Sequence, residues 1–478
     1  MESVKRNVSY QIIFRILTII TPLVTSPIIS RAFGASGIGL YSATIAYVTY
    51  FTLFAMLGVE KYGNRAIAAV QSDRDKRSEL FISIYSVQVI SSTIAILAYY
   101  LSFVFIHKTR WNLAVIQSLW LFSYLADINW FFFGMEEFKL TVIRSTVIKI
   151  ITVLLIVVFI RTPNDLYLYA TIMGGGALLG QLVLWRHLGK YIYFSFPKWN
   201  NVKQHIFPIL KLYIPVIAIS IFRLMDKSML DMLSTEESVG YYYSADKVVN
   251  IPLGLVTAVS TVMLPRVANM LHEKSIKDVR IILGKSIELT IILVSAVSFG
   301  IAAIAKEFVP VFFGVGYEPC VLLVYWFVPV LIIKTLEDII CSQYLIPAHM
   351  DNLYIVALFG GAAANIICNY FLIKQFAALG AVLGTLVAET VVLIIQLCNV
   401  KEIPFLNLFF RQCQYVLFGF IMFITVRFSA QFINLSDAMK TVILVGIGGS
   451  IYMLLCFAWN LISRDSLFHT TIRRFMKR

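Results

Sequence analysis

Charged residues are scarce in this chain. Asp, Glu, Lys and Arg together make up 14% of its 478 residues, whereas soluble domains carry roughly 25%. Hydrophobic residues make up 59%. A soluble protein of this length would need two or three domains with polar surfaces, and there are too few polar residues to cover even one. The composition therefore excludes a protein whose whole surface faces water, and it predicts a protein embedded in lipid.

Cysteine is also sparse, and its positions exclude the usual cysteine chemistry. The first 319 residues contain none, and no pair among the other six has CxxC spacing. All six lie in or at the edge of apolar runs: Cys320, Cys341, Cys368, Cys398, Cys413 and Cys456. We interpret them as small apolar packing residues rather than as disulfides or metal ligands.

Catalytic and nucleotide-binding motifs are missing as well. No HExxH, GxSxG or Walker A pattern occurs, and the six histidines are scattered. Without a nucleotide site, ATP bound to this chain could not drive a transport step. The glycine run at residues 174–176 lies inside an apolar stretch, so we interpret it as a close-packing site rather than a phosphate loop. We predict no catalytic residue, no metal site and no cofactor.

What the chain does contain is a series of long apolar runs. A membrane-spanning helix needs about 20 mostly apolar residues, and fourteen runs approach or exceed this length. The predicted fold is therefore an all-α polytopic membrane protein. No evident cleavage site precedes or ends the first run, so we expect it to be retained. The predicted spans are Tyr10–Ser30, Ile38–Val59, Leu80–Ile106, Trp111–Phe133, Leu140–Ile160, Leu166–Trp185, Phe207–Leu230, Val239–Leu264, Ile281–Ala305, Val321–Tyr344, Leu353–Ile373, Ala377–Cys398, Gln412–Ser429 and Thr441–Ile462.

The basic residues between these runs predict the orientation. The net charge is +14, which in a soluble protein would suggest nucleic acid. In a membrane protein, cytoplasmic loops collect Lys and Arg. With the amino terminus inside, the predicted cytoplasmic segments hold 24 of these residues and the opposite side holds 7. This bias predicts that both termini are cytoplasmic, and we expect no nucleic-acid partner.

An internal repeat indicates two related halves. A shift of 201 residues places Gly39-Leu-Tyr41 on Gly240-Tyr-Tyr242 and Arg65 on Arg266. An offset of six spans indicates parallel repeats, an arrangement in which transporters bind substrate between the halves. The alternative is that these short matches recur by chance. The predicted domains are an N-lobe at 1–190, a cytoplasmic linker at 191–206, a C-lobe at 207–400, and two further helices with a basic cytoplasmic tail at 401–478.

Several cations fall inside predicted spans, where a central charge costs about 2.5–3.5 kcal/mol on insertion scales. They are Arg15, Lys149, Arg223, Lys227 and Lys334. A cavity lined by such residues would attract a phosphate or pyrophosphate group, because Arg and Lys form short charge-assisted hydrogen bonds to phosphate oxygens. Two alternatives stay open. Arg15 is close enough to the end of its span to snorkel, and Arg223 forms a possible structural pair with the nearby Asp226.

Acidic residues inside spans are candidates for ion coupling. Asp127 and Glu389 have no obvious local partner in the sequence, and Asp226 lies beside Arg223 and Lys227. The alternative is that these carboxyl groups are hydrogen-bonded packing residues. Lys334 has Glu337 and Asp338 three and four residues further on, so we expect pairing within that cluster.

A set of short motifs, in order, resembles a known family. They are SPIISRAFGASGIGLYS at 26–42, DINWFFFGMEEF at 127–138, DKSML at 226–230, VGYYYSA at 239–245, LPR at 264–266, NIICN at 365–369 and GAVLGT at 380–385. Together they resemble the Wzx-type polysaccharide flippases of the MOP superfamily, which also contains MurJ and the MATE exporters. The resemblance runs from about Tyr10 to Gln396. It implies two six-helix lobes around a cationic cavity, with two C-terminal helices.

The resemblance also implies a substrate and a location. The expected substrate is an undecaprenyl-pyrophosphate-linked oligosaccharide, moved by alternating access to the outer leaflet of the bacterial cytoplasmic membrane. A polymerase and other polysaccharide-assembly proteins are further expected partners. Two other readings stay open: a MATE-like, cation-coupled multidrug exporter, and a membrane enzyme of the same pathway. The sugars and the energy source are not predicted.

Overall fold

The computed structural model of the protein describes residues 2–106, 110–273 and 275–462. Within these ranges the chain is all-helical, with sixteen α-helices, one 3₁₀ turn and one π turn. This confirms the predicted fold class. The helices fall into two compact units, one within Met1–Ser228 and the other within Met229–Arg478, with the boundary inside one long helix. We call these the first unit and the second unit.

The first unit contains the first seven helices, most of the eighth, and the 3₁₀ turn Pro163–Asp165. The helices are α1 (Glu2–Met56), α2 (Val59–Ala68), α3 (Arg74–Ile106), α4 (Trp111–Leu125), α5 (Asn129–Gly134), α6 (Phe138–Phe159), α7 (Leu166–Leu188) and α8 (Trp199–Leu233).

The predicted first and second spans are both part of α1, which is broken at Gly34. This glycine has φ 65° and ψ −179°, a conformation that L side chains rarely adopt and glycine adopts readily. An added Cβ would meet no atom within 4 Å. The backbone conformation, rather than a lack of space, is therefore the reason for glycine at this break.

The predicted fourth span is also broken, into α4 and the short α5. The indole ring of Trp130 on α5 is wholly buried and lies against α2, where a Cβ added at Gly63 would come within 2.3 Å of the ring. Trp130 stacks on Phe81 of α3, with ring centroids 5.4 Å apart. The aromatic motif at 127–138 therefore forms the centre of a core that joins α2, α3 and α5.

The predicted linker packs onto the same core. Ile192 and Val202 are buried among Leu184, Leu188 and Ile209. The guanidinium of Arg77 donates to the Tyr191 carbonyl oxygen from Nε at 3.0 Å and from Nη2 at 2.6 Å. These contacts hold the segment between α7 and α8 against the first unit.

The second unit contains the remaining helices. They are α9 (Glu236–His272), α10 (Ile276–Phe313), α11 (Pro319–Ile340), the π turn Cys341–Leu345, α12 (Asp351–Phe376), α13 (Ala378–Asn399), α14 (Phe405–Phe410), α15 (Cys413–Ser429) and α16 (Asp437–Ile462). The last two helices share a core with α10: Tyr415 donates to Glu288 at 3.1 Å, and Tyr452 donates to the Ile292 carbonyl at 2.9 Å.

The helices have the length and composition of membrane spans. Nine helical stretches in the described ranges qualify, and one of them, Ile20–Ala68, continues through the broken α1. The shorter Cys413–Ser429 is also apolar. A multi-span membrane protein is thereby confirmed. The count of fourteen crossings, the lobe boundaries and the cytoplasmic position of the termini stay predictions.

Candidate functional site

Helix α6 has one face suited to lipid and one suited to polar contacts. Its exposed apolar side chains follow helical spacing along one stripe: Ile143, Val147, Ile150, Leu154 and Val158. Lys149 lies near the middle of the helix on the side away from this stripe. Its Nζ donates to the Thr18 hydroxyl of α1 at 2.8 Å. The first and fifth predicted spans thus contact each other through polar side chains at this point.

Arg144, on the same helix, reaches the break between α4 and α5. Its Nη2 donates to the Asn129 side-chain oxygen at 2.6 Å. Asn129 in turn donates to one Asp127 carboxylate oxygen, from its backbone N–H and from its side-chain amide, both at 2.8 Å. Space for the guanidinium exists because residue 180 is glycine, where an added Cβ would lie 3.1 Å from Arg144 Nη1.

The break itself is held by side-chain donors. Gln88 donates to the carbonyl oxygens of Tyr124 and Asp127, both at 2.8 Å, and Trp185 donates to that of Ala126 at 2.8 Å. These bonds satisfy carbonyls that the end of α4 leaves without helical partners. Asp127 is therefore a hydrogen-bonded part of a structural network, which is the alternative left open by the sequence. Its role in ion coupling stays a prediction.

The glycine run in α7 is a packing site, as predicted. A Cβ on Gly174 would come 3.0 Å from Leu119 Cβ, and one on Gly176 would come 2.9 Å from Thr152 Oγ1. Gly175, between them, faces open space. The two outer glycines therefore allow α4 and α6 to approach α7 closely.

The predicted charges of α1 and α8 are only partly described. The side chains of Arg15 and Arg223 lie outside the described residues. Asp226 is buried and acts electrostatically on the Tyr50 hydroxyl of α1, which accepts a hydrogen bond from Ser228 at 3.2 Å. Lys227 is partly buried. Their roles in substrate binding and ion coupling stay predictions.

In the second unit, Lys334 of α11 forms an ion pair with Glu389 of α13. Lys334 Nζ lies 2.5 Å from a Glu389 carboxylate oxygen, and the Glu389 side chain is 1% exposed. The two residues are 55 positions apart in the chain. The sequence predicts pairing of Lys334 with Glu337 and Asp338. The structure adds Glu389 as a long-range partner, which the sequence does not indicate. Glu337, three residues further along α11, is also buried.

A second buried ion cluster, which the sequence did not predict, lies on α10, α15 and α16. Glu307 is buried and lies 2.6 Å from Arg427 Nη1 and 3.6 Å from Lys440 Nζ. Arg427 also donates to the Ala303 carbonyl at 3.2 Å. Arg427 lies near the end of a predicted span, which is a usable signal in the sequence, but Glu307 lies just beyond the predicted span Ile281–Ala305.

An apolar cavity lies next to this ion cluster. Its volume is about 370 Å³, and α10, α15 and α16 line it almost entirely with apolar side chains and glycines. Gly300, Met422, Val426 and Gly448 are among the lining residues. The small residues leave room for an apolar chain between the helices.

Outside the predicted spans, a neutral contact joins α2 and the start of α8. The Tyr62 hydroxyl and His205 Nδ1 are 2.7 Å apart. Burial lowers the pKa of His205 from its ordinary value. The contact therefore favours the uncharged imidazole.

Comparison with known proteins now identifies the family. Residues 4–271, more than half of the chain, match the family described as "Polysaccharide biosynthesis protein". The chain belongs to this family. The resemblance to Wzx-type flippases is thereby confirmed at the level of the family. A curated member of this group, the "Putative O-antigen transporter" of Escherichia coli (strain K12), is 21% identical over 410 residues, covering 84% of this chain and 97% of that protein.

Solved structures place this family member in the MOP fold. The lipid II flippase MurJ, in an inward closed conformation, matches with TM-score 0.70 at 18% identity, over 95% of this chain and all of that chain. An inward-facing MATE transporter matches with TM-score 0.59 at 13% identity, over 84% of this chain and 95% of that one. At these identities the likeness concerns the fold. All three relatives are named as transporters or flippases, which favours transport over the enzyme alternative.

Proposed function

We propose that this protein is a flippase for undecaprenyl-pyrophosphate-linked oligosaccharide units. It moves them by alternating access from the cytoplasmic to the outer leaflet of the bacterial cytoplasmic membrane, for the synthesis of a surface polysaccharide, and a polymerase takes up the product. Support comes from the family match along residues 4–271, the O-antigen transporter relative and the MurJ-like fold.

The observation that carries the proposal is the environment of Lys149. The ammonium lies near the middle of α6, away from the lipid-facing stripe, and donates to a hydroxyl group at 2.8 Å. A charged side chain at this depth in a membrane span is costly, so a lysine there is a candidate functional residue. Lysine binds phosphate as a compact point charge through short charge-assisted hydrogen bonds. A pyrophosphate oxygen can replace the Thr18 hydroxyl as the acceptor.

The proposed headgroup site consists of Lys149 with Arg15, Arg223 and Lys227. Lys334 differs from these residues in that its ammonium already contacts the Glu389 carboxylate. We therefore assign it to the headgroup site only in states in which that ion pair opens. Asp127, Asp226 and Glu389 remain proposed ion-coupling residues.

The apolar cavity between α10, α15 and α16 is the proposed site for part of the polyprenyl chain. Each buried methylene group contributes about 0.8 kcal/mol, so an apolar tail gains from a cavity lined by Gly300, Met422 and Gly448. The charged headgroup requires a polar environment and the polyprenyl tail requires an apolar one. In this proposal the protein provides one of each.

Deletion of the gene tests the function. The expected result is loss of a surface polysaccharide together with accumulation of polyprenyl-pyrophosphate-linked oligosaccharide, measured by mass spectrometry of extracted lipids. A plasmid copy restores both. Unchanged lipid-linked intermediates, with increased sensitivity to cationic dyes, would instead support the multidrug-exporter alternative. Loss of polymer without accumulation of the complete lipid-linked unit would indicate an enzyme acting before translocation.

A further inference from the structure

The linker at 191–206 exposes aromatic side chains outside the predicted spans. Phe196 is 97% exposed, Phe194 65%, Tyr193 55% and Trp199 54%. They lie between the end of α7 and the first residue of α8. Large apolar groups that are exposed together on a surface mark a contact with another molecule or with lipid. These side chains are therefore available for a contact that the first unit does not itself make.

The backbone of the linker is held in place although these side chains are exposed. The Tyr193 N–H donates to the Ser78 hydroxyl of α3 at 2.9 Å. The side-chain amide of Asn201 donates to the Glu79 carboxylate of the same helix. These contacts fix both ends of the exposed stretch, so the aromatic side chains are presented outward by an anchored backbone.

The same contacts give the depth of the linker relative to the predicted third span. Ser78 and Glu79 lie two residues and one residue before Leu80, where that span begins. A helix rises about 1.5 Å per residue, so both contacts lie within about 3 Å of the predicted edge of the hydrocarbon core. The headgroup layer is about 5–7 Å thick on each side, and tyrosine and tryptophan are enriched there. Relative to this span, the linker lies at the level of the lipid headgroups.

The charge around the exposed aromatic groups is positive. Residues 186–206 contain no Asp or Glu. Lys203 Nζ lies 5.6 Å from the centre of the Trp199 ring, and Arg74 Cζ of α3 lies 3.9 Å from the centre of the Tyr193 ring. Cations therefore stand directly beside the aromatic groups. The stretch 186–206 has four cations with exposed side chains: Arg186, Lys190, Lys198 and Lys203.

Anionic phospholipid fits this surface better than another protein does. Positively charged connections face the cytoplasmic leaflet, and the anionic lipids of that leaflet attract Lys and Arg near the membrane surface. Aromatic rings beside such cations insert at the boundary between headgroups and acyl chains. A protein partner would require neither the position at the headgroup level nor the absence of acidic residues.

We propose that the linker is a binding site for anionic phospholipids of the cytoplasmic leaflet. Lys198 and Lys203 bind the lipid phosphate groups, and Phe196 and Trp199 insert between the headgroups. Because α7 ends and α8 begins at the linker, this contact ties the junction of the two helices to the membrane surface. The inference does not depend on the proposed flippase function, because no transported substrate takes part in it.

Quenching of Trp199 fluorescence by brominated lipid tests the proposal. The full-length protein is reconstituted in nanodiscs of phosphatidylcholine and phosphatidylglycerol, with bromine on the acyl chains of one lipid or of the other. The emission of Trp199 is the difference between wild type and Trp199→Phe. We expect about twofold stronger quenching by brominated phosphatidylglycerol at equal bromine content, because the lysines concentrate the anionic lipid around the linker. High salt should remove this preference.

Two double variants separate the linker from a general effect of charge. Lys198→Gln/Lys203→Gln should abolish the preference for phosphatidylglycerol. The matched control is Lys277→Gln/Arg280→Gln, which removes two exposed cations from another predicted cytoplasmic segment. It should leave the preference unchanged.

Three results would overturn the proposal. Absence of Trp199 quenching by either lipid would show that the linker faces water or a protein. Equal quenching by the two lipids in wild type would show that the linker does not select anionic headgroups. A preference that survives in Lys198→Gln/Lys203→Gln, or that the control variant also loses, would show that these two lysines do not bind the lipid. Phe196→Trp in the Trp199→Phe background provides a second reporter at the most exposed position of the linker.

Discussion

Cations in the two units contact acceptors of different kinds. In the first unit, Lys149 donates to a hydroxyl and Arg144 to an amide oxygen. In the second unit, Lys334 and Arg427 donate to buried carboxylates. A hydroxyl or amide oxygen carries no formal charge, whereas a carboxylate offsets the charge of a cation at close range. This difference is the reason why the proposed headgroup site is centred on Lys149 rather than on Lys334.

The same comparison separates the carboxyl groups of the two units. Asp127 in the first unit accepts hydrogen bonds from amide donors at a helix break. In the second unit, the Glu389 carboxylate contacts the ammonium of Lys334, and the Glu307 carboxylate contacts the guanidinium of Arg427. These cations offset part of the cost of burying the carboxylates.

We expect the largest effect from reversing the charge of Lys149, because this removes the difference between the two units. Lys149→Glu should reduce surface polysaccharide at least tenfold, because it places a negative charge where the pyrophosphate is proposed to bind. Lys149→Arg should retain part of the activity, since it keeps the charge. Polymer output in a deletion strain, with membrane levels of the protein measured in parallel, checks both.

The exposed Lys277→Glu is the control for charge reversal alone. Normal polymer from a membrane-inserted Lys149→Glu protein would contradict the headgroup site. A tenfold loss from Lys277→Glu would show that any change of charge is harmful, and Lys149 would then have no special role.

An intermediate effect is expected when the Lys334–Glu389 ion pair is broken on one side. Removing one partner of a buried pair costs about 3–5 kcal/mol, whereas replacing both by neutral groups is often close to neutral. Lys334→Met should therefore lower the thermal midpoint in detergent, and the double variant Lys334→Met/Glu389→Gln should recover much of the loss. Protonation of the orphaned carboxyl groups will reduce the single-variant cost at low pH.

The measurement is thermal unfolding of purified protein by a tryptophan or scattering probe. Additive losses in the double variant would mean that the two side chains do not stabilise one another. The same cycle at Arg427 and Glu307 should recover less, because Lys440 would remain opposite the neutralised Glu307 position.

The smallest expected effect concerns pH and the neutral contact in the first unit. Burial lowers the pKa of His205, so the unfolded chain binds a proton there at higher pH than the folded chain does. The stability contributed by this group is full above the unfolded pKa of about 6.5. It falls as the pH drops below that value towards the folded pKa.

His205→Gln keeps a polar partner for Tyr62 and should flatten the decline in thermal midpoint between about pH 6.5 and lower values. His187→Gln, at a partly exposed histidine of the same unit, is the matched control. An identical decline in wild type and His205→Gln would show that other groups cause the acid sensitivity.

Much of the fold was predictable because hydropathy is a local property. Helical membrane spans follow from runs of apolar residues. The glycine run of α7 was recognised as a packing site for the same reason. The break at Gly34 falls in the predicted connection between the first two spans. The break after Leu125 was not predicted, because apolar sequence continues through it.

The candidate site was predictable only as a set of charges too costly to face lipid. The sequence placed Lys149 and Lys334 in the same category, since both are cations in the middle of apolar runs. Local spacing suggested Glu337 and Asp338 as partners of Lys334, but Glu389 is 55 residues away. The cluster of Glu307, Arg427 and Lys440 escaped notice because its members lie on three helices near predicted span ends.

By itself, the amino-acid sequence determined that this is a helical membrane protein and which charged residues lie within its predicted spans. These follow from the transfer free energy of each segment, which depends on its own composition. Only the tertiary structure decided which charges are cancelled. The energy of a buried charge depends on groups within a few ångströms, and packing of α11 on α13, or of α6 on α1, supplies those groups from distant parts of the chain.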